Sequence, residues 1–318
     1  MSFLGGGSDL PAFYRRFGGA VVSTSINQFV YVTINKKFDE KIRVSYSRTE
    51  EARTVDRIKH PLVREAMKFL GIKGGVEITS IADIPARGTG LGSSSSFTVG
   101  LLHVLHAYAE RYASAEQLAQ EACEIELERC REPIGKQDQY AAAFGGLNFI
   151  QFNTDDSVVV EPIICRRDTI EKIQARLLVF YTGATRSASS ILQHQREGLM
   201  TDRNKQQMTR QIADLARQLR RELQQNRFAS LGEALHESWQ IKKQLAAGIS
   251  SGALDSWYQK ARKAGAAGGK LLGAGASGFF LFFAPPEKHE PIARALSGLR
   301  QMDFRFEPQG SRIIFVHQ

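Results

Sequence analysis

The sequence predicts an α+β protein in two halves, and three observations carry that prediction. Alternating apolar segments crowd the stretch between Phe29 and Ile81, apolar stripes at helical spacing recur between Ser93 and Leu223, and strand-like runs return from Phe279. The segments FVYVTINKK (Phe29 to Lys37) and KIRVSYS (Lys41 to Ser47) read as paired strands, and GVEITSI (Gly75 to Ile81) as a third, with HPLVREAMKFLG a helix between them. An apolar run through Leu101, Leu105 and Tyr108 follows the Gly/Ser segment GTGLGSSSS. A second helix, SAEQLAQEACEIELERC, opens on the capping-box pattern Ser114-x-x-Gln117. Pro133 and Gly135 end it, GKQDQYAAAFGG is a short helix closed by Gly145 and Gly146, and LNFIQF returns to strand.

Met208, Ile212, Leu215, Leu219 and Leu223 recur at intervals of four and three, which predicts a long amphipathic helix with Arg210, Arg217, Arg220 and Arg221 off its apolar stripe. FFLFFA, HEPIARALSGL and SRIIFVH predict strand, helix, strand at the carboxyl end. The boundary between the halves falls between Phe152 and Leu177, giving domains 1–165 and 166–318 with no Pro/Ser-rich hinge.

At 318 residues and 42% hydrophobic content the chain is long enough to bury a sizeable core. Cys123, Cys130 and Cys165 form neither an even set nor a CxxC pair, so a disulfide framework and a cysteine zinc site are not expected. His103, His106 and His236 show no HExxH-like spacing. No apolar run approaches the roughly 18 residues that span a bilayer, and the amino terminus lacks a signal pattern, so a cytoplasmic protein without a membrane partner is expected. The net charge of +9 favours anionic ligands such as nucleotides and sugar phosphates, and equally nucleic acid. The arginine-rich helix is read as a solvated face, so no nucleic-acid partner is expected.

Three glycine-rich segments need separate explanations. Gly273, Gly275 and Gly278 satisfy GxGxxG, but a helix-like stretch precedes them and a strand follows, the reverse of the dinucleotide-binding order. No Gly-Lys pair is followed by Ser or Thr, so the Walker loop is absent. PARGTGLGSSSS (Pro85 to Ser96) leads straight into a helix. Glycines 88, 90 and 92 let backbone approach a phosphate, while exposed N–H groups and the helix dipole receive its charge; a simple helix cap is the plainer alternative. Glu126 and Asp138, twelve positions apart around Pro133 and Gly135, supply the two acids that phosphoryl transfer needs, one for a metal and one near the acceptor hydroxyl.

In this order, FLGGGSD, PARGTGLGSSSS and KLLGAGASG resemble the three motifs of the GHMP kinases, the small-molecule kinases that include galactokinase, homoserine kinase and mevalonate kinase. The resemblance implies a two-domain fold with a ribosomal protein S5 domain 2-like amino-terminal domain and a ferredoxin-like carboxyl-terminal domain. It implies nucleotide binding by Gly88, Gly90, Leu91, Gly92, Ser93, Ser94 and Ser95, with ATP as co-substrate. By the same resemblance Mg²⁺ is held by Ser94 and Glu126, Asp138 is the catalytic aspartate, and Asp9, Gly6, Gly7 and Gly275 bind substrate.

FLGGGSDLP, GKQDQYAAAFGG, YTGATRSASSIL and AGAAGGKLLGAGASGFFLFF look most like the kinases of D-glycero-D-manno-heptose 7-phosphate. These phosphorylate the anomeric oxygen on the route to GDP-heptose for surface polysaccharides. Such a substrate requires a second anion site, for which Arg186 with Ser187 and Ser189, and Arg15 with Arg16, are candidates against a plain helix cap. The expected partners are therefore a sugar phosphate and ATP, with a homodimer allowed. Two alternatives stay open: a sugar-1-kinase of the same family acting on fucose or galactose, and a catalytically silent sugar-phosphate-binding regulator. The regulator is motivated by one departure. The family's strand before the first motif ends in a basic residue, and the matching arginine would fall immediately before Met1. The expectation is that the native frame starts upstream or that this form is poorly active.

Overall fold

The computed structural model describes residues 1–84, 89–183 and 189–317. Among them the strands are β1 (Ser2–Leu4), β2 (Gly19–Thr24), β3 (Val30–Lys36), β4 (Ile42–Ser45), β5 (Thr49–Ala52), β6 (Val76–Ala82), β7 (Leu147–Phe152), β8 (Val158–Pro162), β9 (Leu177–Tyr181), β10 (Gly268–Leu271), β11 (Phe279–Phe283) and β12 (Arg300–Gln301). The α-helices are α1 (Pro11–Phe17), α2 (Pro61–Leu70), α3 (Ser93–Tyr108), α4 (Ala115–Cys123), α5 (Gln137–Phe144), α6 (Arg167–Gln174), α7 (Ser189–Thr201), α8 (Arg203–Gln224), α9 (Leu231–Lys242), α10 (Gly252–Lys263) and α11 (His289–Ala295). This is the mixed architecture the sequence predicts.

The chain divides into two compact units, one of residues 1–27, 87–91 and 146–307, the other of residues 28–86, 92–145 and 308–318. The units interleave along the chain, unlike the continuous halves 1–165 and 166–318. The reason lies in strand pairing, since β1 and β2 join β7 and β8 in one antiparallel sheet and so draw the amino terminus into the first unit.

The first unit holds a second sheet, in the order β10-β11-β9-β12. Alternate residues of β9 and β11 face opposite ways, as the pleat requires. Leu177, Val179, Phe279, Leu281 and Phe283 pack with Leu219 and Leu223 of α8 and Leu231 and Leu235 of α9. Leu178, Phe180, Phe280 and Phe282 pack with Trp239, Leu254, Tyr258 and Ile292. Both faces of β11 are therefore buried, which is why FFLFF is apolar throughout rather than alternating.

In the second unit the order is β3-β6-β4-β5, so β3 and β4 are not partners of one another. β6 inserts between them, antiparallel to β3 and parallel to β4, and the predicted β3–β4 pair is corrected accordingly. Val32 of β3 packs against Gly100 of α3. The predicted final strand SRIIFVH is likewise absent: residues 311–317 carry no strand, and Ile314, Phe315 and Val316 are exposed.

Candidate functional site

The Gly/Ser-loop end of the second unit is built on the start of α3. Gly92 adopts φ +74°, a left-handed conformation that ends the loop and lets Ser93 begin the helix, with Ser96 N–H donating to Gly92 O (2.9 Å). The first amides of this helix of 16 residues have no acceptor within the helix, and the positive end of its dipole lies at Ser93. Ser93 and Ser95 are buried and Ser94 is exposed. The expected contributor Gly88 lies outside the described residues.

Glu126 is 1% exposed and accepts from Ser94 Oγ (3.1 Å) and Thr98 Oγ1 (3.1 Å) on one oxygen, and from Ser95 Oγ (2.8 Å) and Gln139 Nε2 on the other. Burial raises its carboxyl above the usual range, and these four donors oppose that shift. The expected single helix through Cys130 changes at Glu124 into a π-helical turn, Glu124–Arg129, in which Ile125 and Glu126 are both buried. The π turn thus carries the acid and its apolar neighbour Ile125 into the interior together.

Asp138 and Gln139 are consecutive in the first turn of α5. Gln139 reaches Glu126, while Asp138 is exposed and lies against Gly92, where an added Cβ would meet its Cγ at 3.2 Å. The structure thus brings together Gly92, Ser94, Glu126 and Asp138 of the expected set. Sequence reasoning missed Ser95's role, Thr98 and Gln139. Thr98 stands four residues after Ser94, one helical turn on the same face, which was a readable signal.

The other expected residues lie in the first unit. In the turn after β1, Gly5 and Gly7 have φ +97° and +98°. Ser8 donates to Gly5 O (2.7 Å) and accepts from Ala20 N–H (3.1 Å), while Gly7 N–H donates to Asp9 Oδ1 (2.9 Å). Asp9 is 2% exposed, and Gly6 and Gly7 are half-buried.

Against β1, which leads into this turn, lies a buried lysine that sequence reasoning also missed. Lys270 Nζ donates to the carbonyls of Ser2 (3.2 Å) and Phe3 (3.0 Å). Burial depresses it well below the ordinary lysine range; Lys242 pushes it the same way, and Asp9 opposes them. Lys242 itself donates to Gly273 O.

Thr89–Leu91 runs main chain against main chain with the carboxyl-terminal glycine loop. A Cβ on Gly90 would fall 2.3 Å from Leu272 O, and one on Gly278 2.4 Å from Thr89 O. These glycines let two loops of the first unit touch. Gly275 packs on the backbone of Ile249, and Ala276 N–H donates to Ile249 O (3.0 Å). The strand β10 directly precedes this loop, where a helix-like stretch is expected. The loop joins antiparallel β10 and β11, so no helix follows it and the dinucleotide reading stays excluded.

Arg186 and Ser187 lie outside the described residues, as does the side chain of Ser189. Arg15 is engaged by Asp156 (2.9 Å), which also accepts from Tyr14, and Arg16 lies over the Phe17 ring. His103, His106 and His236 bond to Ser311, Glu121 and Tyr258. Among the described residues no group of three or more His, Cys, Asp or Glu gathers as a metal cluster, and no helix is long and apolar enough to cross a membrane. The side chains of Glu126 and Ser94 offer oxygen ligands only. That is the donor set of a hard ion that completes its shell with phosphate and water.

The chain resembles known proteins in both sequence and fold. The model of the GHMP kinases N terminal domain matches residues 57–146, and that of the GHMP kinases C terminal domain matches residues 219–302. D-glycero-alpha-D-manno-heptose 7-phosphate kinase of Campylobacter jejuni is 30% identical over 98% of this chain and 95% of its own length. Galactokinase of Pyrococcus furiosus is 26% identical over 81% of this chain and 78% of its own. In fold, the chain is similar to the crystal structure of a D-glycero-D-manno-heptose 1-phosphate kinase from Bacteriodes thetaiotaomicron. That likeness has a TM-score of 0.79 at 24% identity and covers 98% of this chain and 94% of that one. With family models on both halves and a 30% identical relative along nearly its whole length, the chain belongs to the GHMP kinases.

Proposed function

We propose that this kinase transfers the γ-phosphoryl group of ATP to the anomeric hydroxyl of D-glycero-D-manno-heptose 7-phosphate, giving the 1,7-bisphosphate. The observation that carries the reading is the group at the start of α3, where Ser94 and Gln139 hold buried Glu126 while the neighbouring Asp138 lies against Gly92. The likeness to a heptose 7-phosphate kinase along almost the whole chain supports the choice of sugar.

In this reading Gly88, Gly90, Leu91, Gly92 and Ser93 to Ser95 hold the nucleotide phosphates through backbone N–H groups and the α3 dipole. Mg²⁺ bound by Ser94 and Glu126 would neutralise charge on those phosphates. Asp9, with Gly6, Gly7 and Gly275, binds the sugar, and Arg186 takes its existing phosphate. The sugar oxygen attacks the γ-phosphorus, the bond to the β,γ-bridging oxygen breaks, and ADP leaves. The hydroxyl proton passes to the Asp138 carboxylate, with no phosphoenzyme between. Residues 1–165 then carry the substrate motif, phosphate loop and aspartate, and 166–318 the carboxyl-terminal glycine loop. A cytoplasmic homodimer serving surface-polysaccharide synthesis completes the proposal.

The test is ADP release from Mg-ATP with heptose 7-phosphate, galactose, fucose and mannose. Strong turnover on the heptose phosphate is expected. Turnover only on an unphosphorylated sugar would assign a different sugar-1-kinase, and ligand-induced stabilisation without turnover would assign a regulator.

A further inference from the structure

Helix α7 turns a buried stripe inward through Ile191, Gln195 and Leu199, spaced one helical turn apart. Leu199 packs with Leu10 and Phe13, which places the helix beside the segment that follows the Gly5–Asp9 turn. A glutamine in the middle of such a stripe is out of pattern, since an apolar side chain of similar size would fill the space without burying an amide.

Gln195 is 2% exposed, and its Nε2 has no hydrogen-bond partner among the described residues. A Cβ built on Gly7 would lie 2.6 Å from that nitrogen, so the amide rests against the bare α-carbon of Gly7. The N–H of Gly7 donates to Asp9 Oδ1 (2.9 Å). A carboxylate that accepts and an amide that donates therefore adjoin the same glycine.

Buried amide donors in native proteins are nearly always paired, and a lasting exception calls for a ligand or an ordered water. A hydroxyl both donates and accepts, so it matches an acceptor beside a donor. An anionic oxygen would suit the amide and be repelled by the acid. We propose that Gln195 Nε2 donates a hydrogen bond to a substrate hydroxyl beside Asp9, making Gln195 a specificity-determining residue for a polyhydroxylated substrate. The inference rests on the sugar-kinase reading above and extends it to a residue outside the three family motifs.

The test is steady-state kinetics of the full chain on the same sugar panel with two variants. Gln195→Leu removes the donor, and Gln195→Glu keeps the shape while replacing the donor by an acceptor. On the sugar that wild type phosphorylates, kcat/KM is expected to fall at least about tenfold in Gln195→Leu and further in Gln195→Glu. KM for ATP stays within about twofold. The thermal midpoint of Gln195→Leu without ligand stays level or rises, because an unpaired buried donor has been removed.

Sugar kcat/KM within about twofold of wild type in both variants overturns the proposal, and so does a parallel rise of KM for ATP and sugar. Wild-type turnover on galactose or fucose in place of the heptose phosphate overturns the proposed substrate, while the same ratios on that sugar decide the role of Gln195. A wild type that turns over no sugar of the panel overturns both.

Discussion

Glu126 and Lys270 are both buried ionisable groups, and they are held in opposite ways. Four side chains surround the acid, all drawn from residues between Ser94 and Gln139. The lysine is held by two main-chain carbonyls, one of them 268 positions away. The start of α3 is thus a network of side chains bonded to one another, whereas Lys270 and the amino-terminal turn are held by side chains bonded to main chain. Substitution of Asp138 at the first should alter chemistry more than stability, and substitution of Gly5 or Lys270 at the second should do the reverse.

The largest expected effect is on chemistry. Asp138→Asn should lower kcat by about 10²–10⁴-fold, with the dissociation constant for ATP within about threefold and the unfolding midpoint nearly unchanged. Turnover by ADP release and nucleotide binding by calorimetry check this, and an equal loss in both would erase the contrast. At the turn, an added Cβ on Gly5 would sit 1.9 Å from Ala20 O on a backbone already at φ +97°. Gly5→Ala should therefore destabilise the protein by about 2–4 kcal/mol in urea unfolding. A loss below about 0.5 kcal/mol would show that the turn yields freely.

Lys270 gives a pH signature. Burial and Lys242 depress its folded value below the ordinary 10.5, so the unfolded chain binds this proton more tightly than the folded one. Its contribution to stability is flat below the folded value and improves as pH rises from there towards 10.5. Lys270→Met abolishes that improvement, so the stability of wild type relative to the variant should climb across the alkaline range. A pH-independent difference would contradict a buried, depressed lysine. The smallest effect belongs to Arg15→Gln. The Arg15–Asp156 pair is about half exposed on both sides, so screening by water leaves about 0.5 kcal/mol or less. KM for the sugar should stay within about twofold, and a tenfold rise would restore Arg15 as a phosphate ligand.

The same contrast explains what was legible in the sequence. Helices α2, α5 and α8 and strands β3, β4, β6 and β7 follow from local periodicity and caps, while the pairing of Ser94 with Glu126 was implied by the family resemblance. The order of β3, β6 and β4 was not legible, because alternation marks a strand without choosing its neighbour. Neither was Lys270, a lone lysine in KLLGAGASG until the fold lays β1 across it. Gln195 left a faint trace as the polar member of an apolar stripe, but its contact with Gly7 spans most of the first unit's sequence.

The most direct test of the account is the position of the new phosphate. Phosphorus NMR of the reaction of wild type with Mg-ATP and D-glycero-D-manno-heptose 7-phosphate should reveal one added anomeric phosphate, formed in step with ADP and absent with Asp138→Asn. Phosphate appearing on another oxygen, or anomeric transfer that persists at near-normal rate in Asp138→Asn, would contradict it.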